Sequence, residues 1–132
     1  MADDLQSLLP KHKSDFESVN NLLALGYPEI APLLPDLLEW LQDGNWPISN
    51  IISEFLTTIP EHTAPLIWNV LRGDDYVWKY WCISQLIRKM PSRLAEQFRS
   101  ELTRLTESPT VVERQEELDR IAIAAVQDLW PT

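Results

Sequence analysis

An all-α fold, arranged as a stack of about three helical hairpins, is what this sequence predicts, and three observations predict it. The first is an internal register of thirty residues, in which Trp40-Leu41-Gln42-Asp43-Gly44-Asn45-Trp46-Pro47 aligns with Val70-Leu71-Arg72-Gly73-Asp74-Asp75-Tyr76-Val77. The same step sets Pro35 on Pro65, Leu37 on Ile67, Ile48 on Trp78, Ile51 on Trp81 and Leu56 on Leu86. The second is apolar spacing of helical period, clearest in Ile48, Ile51, Ile52, Phe55, Leu56 and Ile59, which gathers one oily stripe. The third is a lack of strand signals. No segment alternates polar and apolar residues, and only 3 glycines are available for tight hairpins.

A fixed repeat of this length carrying helical patterns is the mark of stacked helix pairs of the HEAT or armadillo kind, an α-solenoid. Each pair has an apolar face it cannot bury alone, so neighbours must stack. Along the chain, Ser14-Asp15-Phe16-Glu17 reads as a capping box, Ser14 and Glu17 satisfying each other's free backbone donors. The helix it opens carries Phe16, Val19, Leu22 and Leu23 and stops near Gly26. The next runs from about Pro28 to Gln42. Pro32 and Pro35 inside it remove amide donors and crowd the preceding turn, so a bend or a short helix followed by a longer one is expected. Pro47 then suits the first turn of the helix holding the Ile48–Ile59 stripe. The second pair spans about Thr63 to Leu71 and Tyr76 to Lys89, with Asp74 or Asp75 as the cap between them and Pro91 as the stop. A third pair places Leu94, Phe98, Leu102 and Leu105 on one helix. Ser108-Pro109 breaks it, and a second capping box, Thr110 to Glu113, opens a last helix with Leu118, Ile121, Ala122, Ala125 and Leu129.

Composition narrows the function classes. With 132 residues, a 45% apolar and a 23% charged share, the chain reads as a single globular domain over 1–132. Its apolar runs are too short to span a membrane. Met1-Ala2-Asp3-Asp4 puts acid where a secretion signal carries Lys or Arg, and one cysteine, Cys82, suits a reducing compartment. A cytoplasmic location is the expectation. The net charge of −9 is uneven: residues 1–71 carry ten acids against Lys11 and Lys13, whereas 72–132 hold ten acids and nine bases. An acidic half repels phosphate backbones, which disfavours nucleic acid, and favours a basic protein partner.

Glu39 to Pro47 (Glu-Trp-Leu-Gln-Asp-Gly-Asn-Trp-Pro) and Leu71 to Trp81 (Leu-Arg-Gly-Asp-Asp-Tyr-Val-Trp-Lys-Tyr-Trp) resemble a small bacterial family of HEAT-like proteins catalogued only as a domain of unknown function. The resemblance covers nearly the whole chain, from about Leu9 to the acidic segment Glu113 to Asp119. It implies a stack of helical hairpins and brings no catalytic or binding residues. One departure is Gly73, where the family pattern suggests Ser or a similar small polar residue.

Signals of chemistry are sparse. His12 and His62 lack a second His or Cys at ligand spacing, so no metal motif is present. Cys82, beside Trp81 on a helix, reads as a small buried group, and no phosphate loop or nucleophile elbow occurs. No cofactor is expected. Glu113, Glu116, Glu117 and Asp119 read as a solvated acidic face, with a metal or general-acid site as the alternative.

Asp74 to Trp81 is the richest segment. The register buries Trp78 and Trp81 and turns Lys79 and Tyr80 to water, with Asp75 and Lys79 spaced to pair across one turn for about 0.2–0.5 kcal/mol. Ser49, Asn50, Glu54, Asp74, Asp75, Lys79 and Tyr80 are therefore the expected partner-binding residues, on the concave surface such stacks offer. The plain alternative for Tyr76 and Tyr80 is bracing between repeats. A basic stretch, Arg88, Lys89, Arg93, Arg99 and Arg104 against Glu96 and Glu101, reads as solvated pairing or as a docking site for an acidic partner or second copy. Exposed ends of a short stack also make a homodimer a candidate assembly. The function these residues predict is a non-catalytic protein-binding module, an adaptor or an immunity-type inhibitor with an acidic face. The rival is a small-molecule-binding domain or enzyme using Asp43, Asp74, Asp75, Lys79 and Tyr80.

Overall fold

A computed structural model describes residues 5–131. Met1 to Asp4, whose acidic start entered the reading of location, and Thr132 lie outside the described residues, as do those ends of the 1–132 domain. Among the described residues the regular structure is helical and no strand occurs. The helices are α1 (Phe16–Leu25), α2 (Leu34–Glu39), α3 (Ser49–Thr57), α4 (Pro60–Leu71), α5 (Tyr76–Gln85), α6 (Ser92–Ala95), α7 (Arg99–Glu107), α8 (Val111–Gln115) and α9 (Leu118–Leu129), with 3-10 turns at Ala31–Leu33, Ile87–Lys89 and Glu96–Phe98.

The caps explain where these helices begin and end. At α1 the cap is Asp15, which accepts from the Ser18 amide at 3.2 Å, and not the expected Ser14–Glu17 box. A carboxylate, one atom longer than a hydroxyl and with two oxygens, reaches both ways here, since Asp15 also accepts from the Lys11 amide at 2.9 Å. Those two bonds hold its carboxyl below the ordinary range. Gly26 closes α1 at φ 70°, its N–H on the Leu23 carbonyl, a conformation glycine reaches without cost. Pro32 and Pro35 give the expected bend: each sits in the first turn of its own short element, Ala31–Leu33 and then α2. α4 starts at Pro60, three residues before the expected Thr63. Thr63 instead donates its hydroxyl to Leu56 O and Ile59 O, both at 3.0 Å, and so ties the end of α3 to α4.

Three further boundaries differ from expectation. α5 ends at Gln85, and the chain tightens into the Ile87–Lys89 turn because Met90, preceding Pro91, must be extended. The Leu94–Leu105 helix is split into α6, a 3-10 turn and α7. The Thr110–Glu113 capping box forms in both directions, yet α8 lasts only to Gln115, because Glu117 turns left-handed at φ 62° and restarts the chain as α9.

The core follows from the apolar stripes. α3 packs on α1, α2 and α4; α4 packs on α5; and α9 lies against both α5 and α7. Ile48, Ile52, Leu56, Ile67, Ile83, Leu86 and Phe98 are fully buried. Burial repeats with the sequence register: Leu34 and Ala64, Leu37 and Ile67, Leu41 and Leu71, Ile52 and Cys82, Leu56 and Leu86 are buried in pairs, while Pro35 and Pro65 are exposed together. Trp78 and Trp81, expected inside, are half-buried. An indole exceeds the isoleucine it replaces in volume and carries a donor. Trp78 satisfies its donor by reaching Leu38 O at 3.0 Å. No helix among the described residues is long and apolar enough to cross a membrane.

Candidate functional site

The loop between α2 and α3 organises the surface. Asp43 Oδ1 accepts from the Asn45 amide at 2.8 Å, closing an Asx turn. The Trp46 amide donates to Asp43 O at 3.1 Å. Ser49, buried at the start of α3, donates its hydroxyl to Trp40 O and Asp43 O. Ser49 therefore pins the loop from beneath and does not face a partner. This corrects the solvent-facing role expected of it: a short hydroxyl next to orphan carbonyls at a helix end finds backbone acceptors before it finds water.

On one side of the loop lies a cleft of about 380 Å³, lined by Asp43 and Asn45, by Val77, Tyr80 and Trp81 of α5, and by Glu116 and Glu117 between α8 and α9. Tyr80 and Trp81 meet edge to face, their ring centroids 5.2 Å apart at 84°. The loop crosses the Trp81 indole so closely that a Cβ added to Gly44 would lie 2.3 Å from Trp81 Cε3. Glycine is required there by contact, not by dihedral. No lysine or arginine is among the residues lining this cleft, and of its three carboxylates Glu117 already meets Arg120 at 3.6 Å.

The expected partner-binding residues divide. Tyr80 enters the cleft. Asn50 and Glu54 are exposed on α3 but do not line it. Asp75 caps α5, accepting from the Trp78 amide at 3.1 Å, and Asp74 is exposed beside it. Lys79, expected in water, is only 9% exposed and lays its ammonium over the Tyr76 ring, 4.7 Å from the centroid. The Asp75–Lys79 ion pair is replaced by this contact, because the apolar stem gains from packing while the ring face receives the charge. Of the Asp43, Asp74, Asp75, Lys79 and Tyr80 cluster, only Asp43 and Tyr80 converge.

The acidic run is also redistributed. Glu113 is 6% exposed and bonds Arg104 at 2.7 Å and 3.1 Å while accepting from the Thr110 amide, so it is not part of a solvated face. Arg104 also meets Glu101 at 2.7 Å. The basic stretch is mostly occupied within the chain: Arg88 pairs with Asp128, and Arg99 pairs with Glu96 and lies 4.7 Å from the Trp130 ring. His62 stacks on Tyr27 at 4.0 Å. Cys82 is sealed in the core, where burial pushes its thiol far up and leaves it without thiolate character. Among the described residues no cluster of His, Cys, Asp and Glu has the arrangement of a metal site.

The family catalogued as DUF5071, a domain of unknown function, matches residues 8–126. The chain belongs to that family. No curated protein matches it significantly. In this DUF5071 chain the matched span holds the loop, α5 and the Glu116–Glu117 turn, so every wall of the cleft lies within the family domain. Sequence reasoning named Asp43 and Tyr80 as candidates but missed the contribution of Glu116 and Glu117. Their approach depends on the left-handed turn at Glu117, which no glycine announces.

Proposed function

We propose that the chain is a non-catalytic protein-binding module of HEAT/armadillo-like helix pairs, serving as an adaptor or inhibitor in the cytoplasm, and that its cleft between the 43–45 loop, α5 and Glu116–Glu117 receives a cationic side chain of a basic protein partner. The stacked-pair reading is supported by burial that repeats with the thirty-residue register. The observation that carries the binding reading is the composition of the cleft wall: Tyr80 and Trp81 beside Asp43 and Glu116, with Glu117 shared with Arg120 and no base among the lining residues. An ammonium or guanidinium there gains a ring face and a carboxylate together, and each cation-on-ring contact is worth about 0.5–2 kcal/mol depending on desolvation. Long-range attraction to the acidic half of the chain adds association rate more than affinity. Phosphate backbones meet the same field with the opposite sign.

A lysine-rich peptide of about ten residues, followed by fluorescence anisotropy, tests this. Binding should weaken by roughly tenfold in Tyr80→Ala and in a Glu116→Gln, Glu117→Gln double variant, and should fall as salt rises through the Debye regime. Equal binding of a neutral peptide, or affinity unmoved by both variants, overturns the reading.

A further inference from the structure

We propose that the protein reads two cationic side chains of one extended basic segment, one on each side of the 42–46 loop, an inference that rests on the cation-binding reading above. The second side of the loop opens on another cleft, of about 300 Å³, walled by Asp36, Glu39, Trp40 and Trp46 together with Leu9, Pro10 and Gln42; Asp36 also accepts a long hydrogen bond from Gln6 at 3.5 Å. Its two indoles meet edge to face at 5.6 Å and 70°. Asp36 and Glu39 stand one turn apart on α2 and so share a helix face. The same combination of ring faces and carboxylates thus occurs on both sides of one loop.

The rings themselves supply an independent observation. Three aromatic rings carry one of the chain's own cations: Arg72 over Trp68 at 5.5 Å, Lys79 over Tyr76 at 4.7 Å and Arg99 over Trp130 at 4.7 Å. Among the described residues no such cation sits over Trp40, Trp46, Tyr80 or Trp81. Charge complementarity then selects the occupant, since the part of the chain up to Leu71 holds ten acids and two bases.

The loop makes the two clefts one recognition unit. Gln42 and Trp46 border the tryptophan cleft, whereas Asp43 and Asn45 border the other. Four Cα steps of ~3.8 Å separate residues 42 and 46, so the ends of the loop lie no more than about 15 Å apart, a span that roughly four residues of an extended segment can cover. Ser49, bonded to both Trp40 O and Asp43 O, fixes the walls relative to one another.

The test uses the full chain and three short capped peptides, with a single lysine, with two adjacent lysines, and with two lysines separated by three small neutral residues, titrated calorimetrically at low salt. The spaced peptide should bind one to one and at least about tenfold tighter than the single-lysine peptide, because the second contact becomes intramolecular. It should fall to the single-lysine level in an Asp36→Asn, Glu39→Gln variant whose helical circular dichroism is unchanged. Equal affinity for the spaced and single peptides, or a spaced peptide indifferent to that variant, overturns two-point reading while leaving the loop cleft intact. Failure of every peptide to bind the unaltered chain overturns the function itself, and the inference with it.

Discussion

Glu113 accepts from Arg104 through both carboxylate oxygens while closing the capping box on Thr110. The Arg104 guanidinium and, after it, the Thr110 amide hold its carboxyl at about 2, against an ordinary 4.5. Folding therefore lowers this group's proton affinity, and the unfolded chain binds more protons between those values. The contribution of the pair is complete above pH 4.5 and is lost as pH falls through about 2. Arg104 is 40% exposed, so solvent screening limits the value of the pair. Glu113→Gln should cost about 1–2 kcal/mol at neutral pH and progressively less below pH 4.5, as read from urea midpoints across a pH series. A midpoint difference that stays constant down to pH 2 contradicts the assignment. The residue scale is where the sequence was least readable. The Thr110–Glu113 box was visible as a spacing, but the approach of Arg104, nine residues upstream, was not. Likewise Ser49 and Lys79 carry polar heads that look solvent-bound in a linear reading. Their burial is decided by partners outside the register, the Trp40 and Asp43 carbonyls for one and the Tyr76 ring for the other.

At the scale of elements, proline positions and the Asp75 cap were legible because their chemistry is local: a missing amide, a short carboxylate three residues before an amide. The break at Glu117 was not, since a non-glycine in left-handed conformation leaves no compositional mark. The loop between α2 and α3 is the element on which the clefts depend, and Gly44 within it can be compared with Gly73 in the loop between α4 and α5. Gly44→Ala must move either the loop or the Trp81 indole, because the added methyl would sit 2.3 Å from the ring. We expect a loss of about 1–3 kcal/mol and weaker binding of basic peptides, measured by denaturant melts and anisotropy. Gly73→Ala meets the Val70 carbonyl at 3.3 Å and the Asn69 carbonyl at 3.8 Å, and should lie within about 1 kcal/mol of the parent. Similar losses for the two would show that contact with Trp81 is not what the loop requires.

For the whole molecule, the register of thirty residues was the part of the fold most open to reading, because burial is a periodic property and the apolar stripes carry it. Leu37 with Ile67 and Leu56 with Leu86 are interior in both copies, as aligned. What the register could not carry is where the last helices return. α9 lies on α5 as well as α7, and it is this return that brings Glu116 and Glu117 to Tyr80. A cleft made from a loop near residue 43 and a turn near residue 117 belongs to tertiary structure alone.

The chain contains a single sulfhydryl, Cys82, placed where no solvent reaches it. A disulfide-exchange reagent can therefore colour the protein only when the helices around α5 come apart, and the rate of that colour is a built-in clock for how often they do. A basic segment that clasps the outer loop should slow the clock in proportion to its occupancy, giving a readout of binding that needs no attached dye.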